Sequence, residues 1–261
     1  MNYFFGINND IFKSKITIPK FQNRLPNTNK NIQLFKCYPN SNNEWQVEEI
    51  YKNQESNFKN NFFILNDFDI GNNEIYFLAT ENDLLKFNKY KLEDYNNFTN
   101  TIPDFRANFE IFFSDKNKLG FSSYQSEYPF RMINVKGSII SSVSSIASKE
   151  ADKNYILIKN IFEKPIHKIF NGYLVDIKKK IILENYKLKT NYSNLLLIKN
   201  VHVKPEVYFI TDQFLGIPVY ISEKNGHLSM EHTHPPHTHI LTGNRYNVVK
   251  NLKERINEII T

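Results

Sequence analysis

The stretch Phe170-Asn-Gly-Tyr-Leu-Val-Asp-Ile-Lys-Lys-Lys-Ile-Ile-Leu-Glu-Asn-Tyr-Lys-Leu188 decides the fold class. Two runs rich in β-branched and aromatic residues, Phe170–Ile177 and Lys179–Leu188, flank a polar turn at Asp176–Lys180, which is the pattern of a β-hairpin. Similar short runs recur on both sides, separated by clusters of Asn, Asp, Pro and Lys. Upstream they are Asn2–Ile7, Ile32–Tyr38, Trp45–Tyr51, Phe62–Leu65, Glu74–Ala79, Asn108–Ser114 and Tyr155–Asn160. Downstream they are Leu195–Val203, Val207–Thr211 and Pro218–Ser222. Glu223-Lys224-Asn225-Gly226 reads as a second hairpin turn, with Asn-Gly supplying the positive φ angles. Val201 and Val203 alternate with His202 and Lys204, as in a strand with one wet face.

Three segments depart from this pattern. Val249, Leu252, Ile256, Ile259 and Ile260 form one helical stripe opposite Lys250, Lys253, Glu254 and Asn257, so a helix is expected from about Arg245 to Ile260. Glu81–Phe98 spaces its apolar residues irregularly and reads as a short helix plus loop. Gly137–Ser148 carries apolar residues at helical spacing, yet its serines and β-branched side chains favour strand or loop. The expected fold is mainly β: an antiparallel β-sandwich or open barrel of roughly twelve to sixteen strands with a C-terminal α-helix. Residues 1–261 are read as a single β-rich domain, with a weak boundary near Thr99–Pro103 dividing two β-rich halves. No internal repeat is visible.

The composition is that of a globular protein, with 41% hydrophobic and 23% charged residues. A net charge of +6 and a pI near 9.1 raise nucleic acid and anionic membranes as partners. The positive charge is mostly lysine, however, with only Arg24, Arg106, Arg131, Arg245 and Arg255 available for bidentate phosphate or guanine recognition. The densest basic run, Lys178-Lys179-Lys180, has the length of an ordinary solvated turn. Cys37 is the single cysteine, which excludes an internal disulfide framework. No run approaches the ~18 apolar residues of a membrane span, and the N-terminus lacks a signal-peptide pattern. A cytoplasmic protein with neither nucleic-acid nor membrane partners is expected.

The chemistry concentrates in His-Thr-His-Pro-Pro-His-Thr-His, which places four of the seven histidines at 232, 234, 237 and 239. His227 precedes it and Glu231 abuts it. Imidazole is the commonest protein ligand for transition metals. On an extended strand His232 and His234 share a face and can chelate one ion. Pro235 and Pro236 stiffen the bend before His237 and His239. The expected site uses His232, His234 and His239 as ligands for a divalent transition metal, zinc first, with iron or manganese as alternatives. Glu231 and His237 would move protons as catalytic groups.

The spacing from Gly226 to His232-Thr-His234 resembles the opening of the first cupin motif. That motif next expects a glutamate four or five residues after the second histidine, where this chain has His239. It also expects later strands carrying a last histidine ligand, whereas the 22 residues after His239 read as helix. The resemblance covers under a tenth of the chain, roughly 14 of its 261 residues.

A second cluster, Gly120-Phe-Ser-Ser-Tyr-Gln-Ser-Glu-Tyr-Pro-Phe-Arg131, mixes aromatic faces with hydrogen-bonding groups. Tyr124, Gln125, Glu127 and Arg131 are its candidate substrate-binding residues, suited to a saccharide or other small polar ligand. Asp67-Phe-Asp69-Ile-Gly71-Asn-Asn-Glu74 hints at a calcium loop but lacks the required ligand spacing. Two functions follow. The first is a metal-dependent hydrolase, isomerase or lyase acting on a small polar, sugar-like substrate. The second is a non-catalytic carbohydrate-binding or assembly module, with the histidines as a structural metal clip or a contact in a homo-oligomer.

Overall fold

A computed structural model of the chain describes residues 2–19, 33–50, 62–94, 107–130, 133, 142–211, 216–232 and 243–260. The protein is mainly β, with sixteen strands in antiparallel sheets among the described residues and a C-terminal helix. No helix among these residues is long and apolar enough to cross a membrane. The chain divides into two compact units: Met1–Ile133 with Phe162–His167 and Asn191–Ser193, and Asn134–Ile161 with Lys168–Thr190 and Asn194–Thr261. Thr99–Pro103 lies outside the described residues.

In the first unit the strands are β1 (Asn2–Tyr3), β2 (Phe12–Pro19), β3 (Gln33–Pro39), β4 (Trp45–Glu49), β5 (Phe62–Leu65), β6 (Ile75–Ala79), β7 (Ala107–Phe113), β8 (Phe121–Ser126) and β9 (Tyr128–Pro129). They form a four-stranded sheet in the order β5-β2-β7-β8, a three-stranded sheet β4-β3-β6 and the pair β1-β9. β2 as far as Ile18 and β7 throughout alternate: Phe12, Ser14, Ile16 and Ile18, with Ala107, Phe109, Ile111 and Phe113, are buried, and the residues between them reach the other face. The N-terminal segment ties these sheets together. Phe4 exchanges backbone hydrogen bonds with Tyr76 at 2.7 and 2.8 Å, Tyr3 pairs with Tyr128, and the Phe5 and Phe109 rings lie 5.8 Å apart.

In the second unit the strands are β10 (Lys153–Lys159), β11 (Ile169–Asp176), β12 (Ile181–Lys189), β13 (Ser193–Ile198), β14 (Val207–Thr211), β15 (Ile217–Lys224) and β16 (His227–His232). The sheets are β13-β10-β15-β16 and β12-β11-β14. Counted in chain order from β2 and from β10, the two units have one and the same connectivity. The first strand lies between the fourth and the sixth, the seventh lies outside the sixth, and the second lies between the third and the fifth. The repeat that is invisible in the residues is present in the topology.

The two sheets of the second unit enclose a core of Ile156, Ile158, Leu196, Ile198 and Tyr220 against Phe170, Leu174, Leu188, Val207 and Phe209. Gly172 makes room in it, since a Cβ there would lie 2.5 Å from the Phe209 ring. On the far side of β11 and β14, Val175 and Ile210 pack against Leu252, Ile256, Ile259 and Ile260 of the helix α2 (Gly243–Ile260). The apolar stripe therefore serves as expected, while the side chain of Val249 lies outside the described residues. The Asn225-Gly226 turn has positive φ at both positions, 49° and 76°, as its hairpin requires.

Several expected elements change. Leu195–Val203 does not continue as a strand: β13 ends at Ile198 and Asn200–His202 is a 3-10 turn. The helix expected in Glu81–Phe98 is the single turn α1 (Glu81–Leu84), capped by Thr80. Of Gly137–Ser148 only the end is described, with a 3-10 turn at Val143–Ser145. β2 lies outside the expected strands, its apolar run broken up by lysines, and part of the Gly120–Arg131 segment forms β8.

Asn191 holds together the part of the first unit that comes from later in the chain. Its backbone has φ 53°, its side chain is buried, and its Oδ1 accepts the Phe162 N–H at 2.7 Å. Its Nδ2 donates to the carbonyls of Lys164 at 3.1 Å and Ile166 at 3.2 Å. Asn191→Ala is expected to destabilise the protein by about 3 kcal/mol, roughly 1 kcal/mol for each of these bonds. Asn191→Gly should recover about 1 kcal/mol of that loss by tolerating the left-handed backbone. Urea denaturation midpoints check both values, and a wild-type midpoint for Asn191→Ala would refute the assignment.

Candidate functional site

The β15–β16 hairpin determines where the histidine segment begins. Its register pairs Tyr220 with Glu231 and Val219 with His232. Tyr220 belongs to the inter-sheet core, so Glu231 lies on that face, at the edge strand, with its side chain 81% exposed. His232 lies on the opposite face with Met230, and its side chain is 22% exposed. The Glu231 carboxylate accepts the His232 backbone N–H at 2.9 Å, and its Oε1 stands 4.0 Å from the imidazole Nδ1. His234, His237 and His239 lie outside the described residues. Among the described residues no group of three or more His, Cys, Asp or Glu side chains is placed to hold a metal ion.

The sheet face that carries His232 also holds ionisable groups from outside the histidine cluster. β10 and β15 are paired with Leu157 opposite Val219 and Tyr155 opposite Ile221, which puts Tyr155, Leu157 and Lys159 on this face. The side chain of Lys159 is fully buried. Burial pushes the Tyr155 phenol up to about 12, with the Glu223 carboxylate adding to the shift. The signal for Lys159 was a charge closing the apolar run Tyr155–Ile158.

The second candidate cluster is divided by the parity of its strand. Tyr124 pairs with Phe109 and turns inward, the two rings meeting edge to face at 5.8 Å. Gln125, the next residue, is on the opposite face and exposed. The Glu127 carboxylate accepts the Asn2 amide, where β1 meets β9. Arg131 lies outside the described residues. The residues brought together instead lie across β7 and β8: Phe112 pairs with Phe121, Glu110 with Ser123, and Asn108 with Gln125. Phe121 is 64% exposed on that face.

The carboxylates of Asp67–Glu74 are engaged by the protein itself. Asp67 pairs with Lys13 at 2.8 Å, Asp69 accepts the Asn66 N–H at 2.9 Å, and Glu74 accepts the Gly71 N–H at 2.8 Å and the Tyr76 hydroxyl at 2.5 Å. This is a stitched connection between strands. His167 likewise serves structure, its Nε2 3.0 Å from the Asn40 carbonyl.

His202, isolated in the sequence, meets Glu184 of β12 with Nε2 3.4 Å from Oε1, and Lys199 bonds to the same oxygen. The Lys199 ammonium, and then the His202 imidazole, hold the Glu184 carboxyl below the usual carboxylate range. Together they close the edge of the sandwich where β12 and β13 approach, beside the Tyr186 hydroxyl that donates to the Leu197 carbonyl at 3.0 Å. No protein-family model, no curated protein and no solved structure matches the chain.

A carboxylate depressed in the folded state adds stability above its unfolded pKa, and that stability is lost as pH falls through the folded pKa. Glu184 should therefore stabilise the protein at neutral pH and cease to do so under acid conditions, below the ordinary carboxylate range. Glu184→Gln should lower the denaturation midpoint at pH 7 and converge with wild type in acid. Parallel curves at all pH values would show that the Lys199–Glu184–His202 contact carries no such linkage.

Proposed function

We propose that the chain is a non-catalytic binding module whose ligand surface is the outer face of the first unit's four-stranded sheet. Its ligand would be a saccharide. The observation that carries this reading is the cross-strand pair Phe112–Phe121, with Phe121 64% exposed, flanked by Asn108, Gln125, Glu110 and Ser123 on the same face. Aromatic faces stack on the apolar face of a sugar ring, and amide, hydroxyl and carboxylate groups satisfy its hydroxyls from the sides. Side chains on a sheet face have positions fixed by register, so the platform is organised before the ligand arrives.

A glycan array identifies the ligand, and titration of wild type and Phe121→Ala with that ligand tests the face. An exposed phenylalanine is dispensable for folding, so Phe121→Ala should fold normally. It should bind about tenfold more weakly, the ~1.4 kcal/mol of one stacking partner. An array without hits, or an unchanged affinity in the variant, would dismiss the reading.

The second reading is a metal-dependent enzyme acting through Glu231 and His237, with the metal on His232, His234 and His239. It is favoured by the Glu231 carboxylate standing 4.0 Å from the His232 imidazole at the end of β16. Elemental analysis of tag-free protein and of the His232→Ala/His234→Ala variant tests it. Stoichiometric zinc, iron or manganese lost only in the variant supports the site, and substoichiometric metal in both preparations removes it.

A further inference from the structure

We infer that the second unit docks onto anionic lipid surfaces through the tip of the β11–β12 hairpin and the adjoining 3-10 turn. This inference is independent of the saccharide reading and uses a different unit. Five consecutive residues at the tip, Lys178, Lys179, Lys180, Ile181 and Ile182, are exposed, with Ile181 at 43% and Ile182 at 42%. Read as sequence, the lysines are a solvated turn. In the folded chain they stand beside aliphatic side chains that nothing obliges the fold to expose.

The 3-10 turn adds a third such side chain from a separate element. Val201 is 63% exposed, between Lys199 and His202, and both of those reach Glu184, two residues after Ile182 in β12. The Ile177 N–H also donates to the Glu206 carbonyl at 3.0 Å, drawing the loop before β14 to the hairpin. Three β-branched aliphatics and three lysines therefore share one end of the sandwich.

Two features keep this end positively charged and rigid. Among the described residues no carboxylate pairs with Lys178, Lys179 or Lys180, while Glu184 is committed to Lys199 and His202. The buried Asp176 accepts the backbone N–H groups of Lys178 at 3.0 Å and Lys179 at 2.9 Å, and Lys180 sits at φ 57°. The turn is thus built from the inside, and the ammonium groups are left to the solvent side. Charge complementarity selects an anionic partner. The adjoining aliphatics select a lipid surface over a nucleic acid, because they gain by leaving water only where there is an apolar layer to enter. Reversible docking of this kind needs both signals.

Cosedimentation with phosphatidylcholine vesicles, with and without phosphatidylserine, tests the inference. Full-length protein should pellet with the phosphatidylserine vesicles and stay in solution with the neutral ones. Lys178→Glu/Lys179→Glu/Lys180→Glu should bind at least about 100-fold more weakly, since each lysine near an anionic surface contributes a factor of roughly five. Ile181→Ser/Ile182→Ser/Val201→Ser, which leaves the charge of the tip unchanged, should also lose binding. Lys187→Glu/Lys189→Glu, exposed on the same strand away from the tip, should not. No retention on phosphatidylserine vesicles would overturn the inference. So would full binding by the serine variant, which marks a plain polyanion attractor, or losses in the two lysine variants in proportion to their charge changes, which marks net charge alone. The glycan titration reads the other unit and is unaffected by any of these outcomes.

Discussion

No strand includes Phe162–His167, and the side chain of Asn191 bonds three of its peptide groups. One buried amide supplies an acceptor to Phe162 and donors to Lys164 and Ile166, from a residue whose own backbone is left-handed. A buried peptide group without a partner costs more than a made bond gains, so this amide has few substitutes. Its neighbours extend the anchorage: the Ser193 hydroxyl donates to the Gly6 carbonyl at 2.7 Å and its N–H to Asn72 at 2.8 Å. The Glu163 carbonyl, in the bonded loop, accepts both the Trp45 indole N–H at 3.0 Å and the Leu92 N–H at 2.9 Å. The first unit is complete only with these two later segments, which is why its boundary is not a single cut in the sequence.

The hairpins and the mainly β class were legible because turn chemistry and β-branched runs are local. The repeated connectivity was not, and the reason is visible in the first strand of each unit. β2 buries one face and reads Phe-Lys-Ser-Lys-Ile-Thr-Ile-Pro, an alternation diluted by lysine. β10 occupies the same place in its sheets but is buried on both faces and reads Lys-Asn-Tyr-Ile-Leu-Ile-Lys, an almost continuous apolar run. Equivalent strands in unlike environments obey different residue patterns, so the repeat shows in the strand order and not in the residues.

The candidate sites were legible to a lesser degree for a related reason. Neighbours in sequence are not neighbours on a sheet face: Tyr124 and Gln125 are adjacent along the chain, and the pleat sends them to opposite sides. Their real neighbours, Phe109 for one and Asn108 for the other, come from another strand through a register the sequence does not announce. The same holds for His202, whose partner Glu184 lies eighteen residues away across the edge of the sandwich. The histidine stretch is the opposite case, conspicuous as sequence but with only His227 and His232 among the described residues.

With a shared scaffold, differences between the units must reside in what each turns outward. The first unit turns a mixed aromatic and polar sheet face to solvent, Phe121 and Gln125 among it, while the corresponding face of the second holds the buried Leu157, Val219 and Ile221. The second unit exposes Ile181, Ile182 and Val201 at one end of its sheets. There Asp176 matters through the direction of its bonding: it is spent on two backbone N–H groups inside the turn and is not aimed at the ammonium groups beyond it. A carboxylate used this way fixes the turn while offering the lysines no direct ion pair, so the tip can be at once well ordered and strongly positive toward solvent.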